Sequence, residues 1–262
     1  MTPDTAPTTI KRIYVGATWQ EVTSGCSGTA VFRISKKDGV VYYLKIVKNS
    51  LNQEMLAEKE RLEWLRGRLP VPTVLACITN DTDTYLLLSE IKGLMAQDER
   101  FSEDIPTVIR TLAESLRRVH QVDTANCPFD ARLSHKIVLA QQRAYDGLVD
   151  VANFDEPRKK GHIEALLKRL LETQPQTEDL VFTHGDYCLP NILINPLDMT
   201  LSGFIDVGRA GIADLYQDLA LAVRSIERNF GPKWGLLFLQ AYGLQTVDRA
   251  KVKFYQLLDE FF

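Results

Sequence analysis

Three residues set the chemistry this chain can support: Asp186, Asn191 five positions on, and Asp206 fifteen after that. They lie in one stretch, 181–211, which reads VFTHGDYCLPNILINPLDMTLSGFIDVGRAG. Phosphoryl transfer needs this kind of set. Its transition state is stabilised by positioning and by cations held against phosphate oxygens, with little covalent work left to the protein. One carboxylate, Asp186, would face an acceptor hydroxyl. A neutral oxygen ligand, Asn191, and a second carboxylate, Asp206, would hold Mg²⁺, which favours hard oxygen donors. An Asp-x4-Asn pair alone is a weak signal. It becomes strong when followed by two short apolar runs, 192–194 and 201–205, around the turn residues 195–198 and then by Gly203-Phe204-Ile205-Asp206-Val207-Gly208. The runs and the turn spell a β-hairpin.

The rest of the chain must position these groups. Residues 1–9 read as a loose tail and 10–47 as strands, with Lys36-Lys37-Asp38-Gly39 as a turn and 40–47 as an apolar strand. The stretch Thr23-Ser24-Gly25-Cys26-Ser27-Gly28-Thr29 suits a hairpin whose backbone N–H groups face phosphates, or equally a bland hairpin tip. Lys45 is the one cation in the apolar run 40–47 and must find a partner or reach water. The helix expected over 53–66 offers Glu54, Glu58, Glu60 and Glu63. Leu69-Pro70-Val71-Pro72 ends it. Strands follow near 74–79 and 85–90, and the run breaks at Lys92-Gly93, where a lobe boundary is placed. From 105 onward the period turns helical: Pro106 opens a helix with an apolar stripe at Val108, Ile109, Leu112, Leu116 and Val119. Further helices are expected over 134–148, through Ile163 to Leu171, and over 219–226, 234–242 and 252–258.

Composition excludes several classes. With 262 residues, 45% hydrophobic and 25% charged, the chain can bury a large core. A net charge of −3 offers no electrostatic reason for a nucleic-acid or anionic-membrane partner. The four cysteines show no CxxC pair, so neither a zinc site nor a disulfide framework is expected. No apolar run approaches the ~18 residues of a membrane span, and the polar start carries no signal-peptide pattern. The expectation is a cytoplasmic protein with no obligate protein partner.

Lys45, an acidic helix, a hinge, His184-Gly185-Asp186-x4-Asn191 and Ile205-Asp206-x-Gly208 occur in the order of the eukaryotic-type protein kinase fold. His-Gly-Asp replaces His-Arg-Asp, Asp-Val-Gly replaces Asp-Phe-Gly, and no Ala-Pro-Glu follows. The chain more closely resembles the aminoglycoside phosphotransferases, and within them the 3′-phosphotransferases of kanamycin and neomycin resistance. Cys127-Pro128-Phe129, Gly147-Leu148-Val149-Asp150, the 181–191 and 203–214 motifs, Tyr216-Gln217-Asp218 and the ending Leu258-Asp259-Glu260-Phe261-Phe262 carry the resemblance, which covers nearly all but residues 1–10.

The resemblance implies an α+β, two-lobed protein-kinase-like fold with an antiparallel-sheet N-lobe (1–92, hinge about 89–93) and a mainly helical C-lobe (93–262). It implies ATP as phosphate donor and Mg²⁺ as cofactor. Asp186 would be catalytic; Asn191 and Asp206 would hold metal. Lys45 would grip the ATP phosphates with Glu58 as its partner. Tyr43 would stack on adenine, Ser89 and Ile91 would meet its edge, and Ser27 would belong to the nucleotide loop. The acceptor, a polycation, should meet acids. The stretch 144–157 holds four acids and no Lys or Arg, and the chain closes on Asp259, Glu260 and the Phe262 carboxylate. Asn153, Asp155, Glu156, Asp259, Glu260 and Phe262 are the implied substrate contacts.

Other residues receive structural readings. His184 braces the catalytic loop; Arg209, Asp214 and Asp218 form local ion pairs and caps; Trp19, Trp64 and Trp234 are core. Two rival functions stand beside aminoglycoside phosphorylation: a kinase of another small alcohol, such as choline, homoserine or a macrolide, and a nucleotide-binding pseudokinase.

Overall fold

The computed structural model describes residues 5–22, 29–149 and 162–262. Ser27, Asn153, Asp155 and Glu156 lie outside the described residues. The chain divides into two compact units, Met1–Gly93 with Ser202–Gly208, and Leu94–Leu201 with Arg209–Phe262. The second membership is not linear in sequence: the segment carrying Asp206 groups with the first unit, which a division at 92/93 does not capture.

The first unit is built on a five-stranded antiparallel sheet. Its strands are β1 (Thr18–Val22), β2 (Ala30–Ser35), β3 (Val41–Lys48), β4 (Val74–Thr79) and β5 (Asp83–Ser89), in the order β1-β2-β3-β5-β4. The two-residue period of the strands separates two faces. On one, Phe32, Ile34, Leu44, Ile46, Tyr85 and Leu87 are fully buried beneath Ala6 and Ile10. Here the sequence reading needs correction. The start is not a loose tail running into a strand: Thr8–Lys11 forms a short helix, α1, whose Ile10 seals the core. Trp19, expected in the core, is 43% exposed, because β1 is the edge strand and the ring meets Phe32 only in a T-shaped contact. On the other face, Tyr43 and Lys45 of β3 project side by side in sequence register, with Lys45 between Val31 and Leu86.

Helix α2 (Gln53–Leu65) follows β3. It buries Met55, Glu58, Leu62 and Leu65, one face at helical spacing. The Asp206 segment is tied to the residues after this helix. Phe204 N–H donates to Pro70 O at 2.8 Å, and a Cβ on Gly203 would sit 2.5 Å from that same oxygen, so only glycine fits there.

The second unit is mainly helical. Its helices are α3 (Ile105–His120), α4 (Leu133–Tyr145), α5 (Ile163–Glu172), α6 (Tyr216–Phe230), α7 (Lys233–Tyr242) and α8 (Arg249–Asp259). Asp104 caps α3 by accepting from Thr107 N–H, with Pro106 in its first turn. The expected stripe of α3 is buried throughout. Helix α7 packs on both α3 and α6, and α6 also packs on α8. Between the helices run β6 (Leu94–Met95), β7 (Leu180–Thr183), β8 (Ile192–Ile194) and β10 (Gly211–Asp214), with β9 (Leu201–Phe204) leading into the first unit. β7 pairs antiparallel with β10 and β6 with β8. The turn after β8 closes through Met199 N–H to Asn195 O and Asn195 N–H to Thr200 O, both at 2.9 Å. Among the described residues no helix is long and apolar enough to cross a membrane.

Candidate active site

The loop over 184–191, the candidate catalytic loop, hangs from buried anchors on α6. Asp218, fully buried in that helix, accepts from the backbone N–H of His184 at 2.7 Å and of Gly185 at 2.8 Å. Two turns on along the same face, Ser225 Oγ accepts from Leu189 N–H at 3.0 Å. Burying a carboxylate is costly unless it is fully hydrogen-bonded. Asp218 meets that demand with two amides and with His120 Nε2 at 3.2 Å. Burial works to raise its carboxyl, but the His120 hydrogen bond, with the charges and amide around it, wins and holds it below the ordinary value. His120 in turn meets Tyr242 OH through Nδ1 at 2.7 Å. The loop is therefore braced from α6, α3 and α7 together.

Within the loop, Asn191 turns its amide onto Asp186. Nδ2 reaches the Asp186 carboxylate at 2.9 Å and its backbone oxygen at 3.0 Å. His184 Nδ1 accepts from Asp186 N–H at 3.3 Å, which is the bracing role expected of it. Gly185 has φ +84, and a Cβ there would lie 2.1 Å from Arg209 O. This close approach explains why glycine occupies the middle of His-Gly-Asp. Cys188 is inert: burial and the nearby Asp186 charge push its thiol well up.

In the first unit, Lys45 Nζ donates to both Glu58 oxygens at 2.8 Å. It also pairs with Asp206. Burial works to lower the Lys45 amine, but the two carboxylates outweigh it and hold the amine above its ordinary range. Burial raises Glu58, opposed by Lys45. Asp206 is half exposed and sits at φ +56, a left-handed backbone that costs a non-glycine residue about 1–3 kcal/mol. The turn spends that energy to aim the carboxylate.

The remaining expected nucleotide contacts are placed as follows. Tyr43 is half-buried on the Lys45 face of β3. Ser89 N–H donates to Thr73 O at 3.0 Å and its Oγ accepts from Thr73 N–H at 2.9 Å. Ile91, half-buried, lies against Gly203.

Three of the expected acceptor residues come together at the chain end, and cations neutralise them. Asp259 pairs with Arg224 and with Arg209 at 3.4 Å, and Glu260 with Arg224 at 3.5 Å. Phe262 O accepts from Arg209 Nη2 at 2.8 Å and from Arg143 Nη2 at 3.4 Å. Acids at the C-terminal end of α8 oppose the helix dipole, and the arginines beside them offset that repulsion. Sequence reasoning saw the acids and missed Arg224, Arg143 and Lys136, which lie far from the tail in sequence. It read Arg209 as a local pair, but Arg209 reaches across 50 residues to Asp259.

The metal ligands expected here are one carboxylate and one amide. Among the described residues no group of three His, Cys, Asp or Glu is placed to hold a metal. Mg²⁺ does not need one, since it keeps several waters and binds through one or two carboxylates plus phosphate oxygens. By donor type, the exposed carboxylate of Asp206 and the amide oxygen of Asn191 each suit Mg²⁺.

Comparison with known proteins shows what the whole chain resembles. A model of the phosphotransferase enzyme family matches residues 18–255. An aminoglycoside 3′-phosphotransferase of Niallia circulans is 40% identical over 239 residues, covering 91% of this chain and 90% of that protein. The crystal structure of an aminoglycoside-3′-phosphotransferase of type VIII superposes with a TM-score of 0.88 at 34% identity, over 97% of each chain. The aminoglycoside phosphotransferase APH(3″)-Id from Streptomyces rimosus, solved with ADP and streptomycin, gives a TM-score of 0.82 at 28% identity over 96% of this chain and 95% of that one.

Proposed function

This chain belongs to the phosphotransferase enzyme family and to its aminoglycoside 3′-phosphotransferases, and from that premise we propose how its residues divide the reaction. The enzyme transfers the γ-phosphate of ATP to an aminoglycoside hydroxyl, the 3′-hydroxyl, and so confers resistance. Added phosphate puts negative charge on a polycation and removes a donor, which weakens its grip on ribosomal RNA.

The observation that carries the residue roles is the Asp186–Asn191 pair, held by Asp218 beneath the loop. Asp186 orients the acceptor hydroxyl and takes its proton as the oxygen bonds to phosphorus and ADP departs. Lys45, kept charged and fixed by Glu58, holds the ATP phosphates. Tyr43 stacks on adenine, with Ser89, Ile91 and Ser27 as further nucleotide contacts. Mg²⁺, bound through Asn191 and Asp206, would supply the cationic charge that offsets the phosphate oxygens. Asn153, Asp155, Glu156, Asp259, Glu260 and Phe262 recognise the drug. The first unit, with the Asp206 segment, takes the nucleotide, and the second takes the acceptor. The cytoplasm, where ATP, drug and ribosome meet, is the place of action.

The reading is tested by producing the protein in a susceptible bacterium. Wild type should raise the kanamycin concentration needed to stop growth, and Asp186→Ala should not. Equal protection by both, or by neither, would defeat it.

A further inference from the structure

The end of α8 is less acidic than its sequence suggests. Arg143, Arg209 and Arg224 each meet an oxygen of Asp259, Glu260 or Phe262. A fourth cation joins them. Lys136 Nζ stands 5.8 Å from the centroid of the Phe262 ring, and Arg143 and Arg209 place their guanidinium carbons at the same distance. Even with the chain end counted as a carboxylate, four cations meet three anions. A polycation approaching these acids would find them already satisfied.

The four cations are not equivalent. Each arginine donates to a tail oxygen, and a guanidinium does not lose its proton in a protein. Lys136 meets the tail through the ring face of Phe262 and can titrate.

We propose that Lys136 is a specificity-determining residue of the acceptor site: its ammonium competes with the ammonium groups of a polycationic acceptor for the tail carboxylates, and acceptor binding is favoured when Lys136 is neutral. The inference rests on the aminoglycoside reading above. The charged groups around Lys136 are Arg143 on its own helix, Arg209 after β9, Asp259, Glu260 and Arg224 by the tail, Asp218 in α6 and Asp186 in the catalytic loop. His135, next to it on α4, faces Asp130. Burial and then Arg209 lower the Lys136 amine to about 8, against the pull of Asp259, Asp218 and Asp186. Its charge therefore changes between pH 6.5 and pH 9.

The experiment compares KM for kanamycin and for ATP at pH 6.5 and pH 9 in wild type, Lys136→Met and Lys136→Arg. Comparing variants at one pH cancels the titration of the drug's own amines. At pH 6.5, Lys136→Met should lower KM for kanamycin roughly three- to fivefold, the size of one partly exposed ion pair. KM for ATP should stay within about twofold, and the kanamycin difference should close at pH 9, where the wild-type lysine is neutral. Lys136→Arg keeps its charge and should bind kanamycin less well than wild type at pH 9. This comparison decides the matter even where Lys136→Met folds poorly. A higher KM for kanamycin in Lys136→Met, a ratio unchanged between the two pH values, or equal shifts for ATP would overturn the proposal. Absence of transfer to any aminoglycoside by wild type would instead defeat the reading on which it rests.

Discussion

Lys45 on β3 holds both carboxylate oxygens of Glu58 on α2 at 2.8 Å, thirteen residues apart in sequence and nearly buried together. This bidentate grip fixes the ammonium where the strand's alternation has already pointed it. Replacing Glu58 with Gln keeps the shape and removes the charge. A hydrogen bond to a charged group contributes about 1.5–3 kcal/mol. Glu58→Gln should therefore lower kcat/KM for ATP on the order of 10- to 100-fold. Steady-state kinetics with ATP varied would check this; an unchanged value would remove Glu58 from phosphate binding.

Asp186 should matter for turnover and little for nucleotide binding. A positioned proton acceptor contributes roughly 10²- to 10⁴-fold. Asp186→Ala should lose at least that much kcat, while calorimetric binding of ATP stays within a few-fold. Substantial residual kcat would take Asp186 out of the catalytic role.

Asp206 is the exposed carboxylate of the first unit's site, aimed by its own left-handed backbone. Asp206→Ala should abolish the dependence of nucleotide binding on Mg²⁺. Titration of Mg²⁺ against ATP binding measures it, and an unchanged metal dependence would refute the assignment.

Asp218 should make the catalytic loop sensitive to acid. Its folded carboxyl lies below its ordinary value of 3.8, with burial outweighed first by the His120 hydrogen bond and then by the charges and amides around it. The unfolded state then binds the proton more readily than the folded one. The stabilisation is complete above that ordinary value and is lost as pH falls towards the folded one. Asp218→Asn should cost about 2–3 kcal/mol at pH 7, and the cost should shrink as pH drops below 4. Urea melts across pH 3–7 would show this; a pH-independent cost would mean the charge is irrelevant.

Much of this arrangement was legible because it is local. The Asp186–Asn191 loop, the turn after β8 and the stripe of α3 each lie within one short window. Glu58 could have been chosen from the four glutamates of α2 by period alone, since it shares the buried face of Met55, Leu62 and Leu65. Pairings across long stretches of chain were not legible. Nothing near His120 points to Asp218 or Tyr242, which lie 98 and 122 residues away. The tail acids read as an open anionic patch because Arg143, Arg209 and Arg224 belong to other elements. Phe261 is fully buried, so cutting off the last four residues would remove core as well as charge. The short helix α1 escaped because four residues carry too little periodicity, and Trp19 misled because nothing in the sequence marks β1 as the sheet edge.

The central claim is tested most directly by transfer of labelled γ-phosphate from ATP, with Mg²⁺, to kanamycin and in parallel to tobramycin, which lacks the 3′-hydroxyl. Transfer to kanamycin alone is the expected result. Transfer to both would move the reaction to another hydroxyl, and transfer to neither, with ATP still bound, would contradict the account.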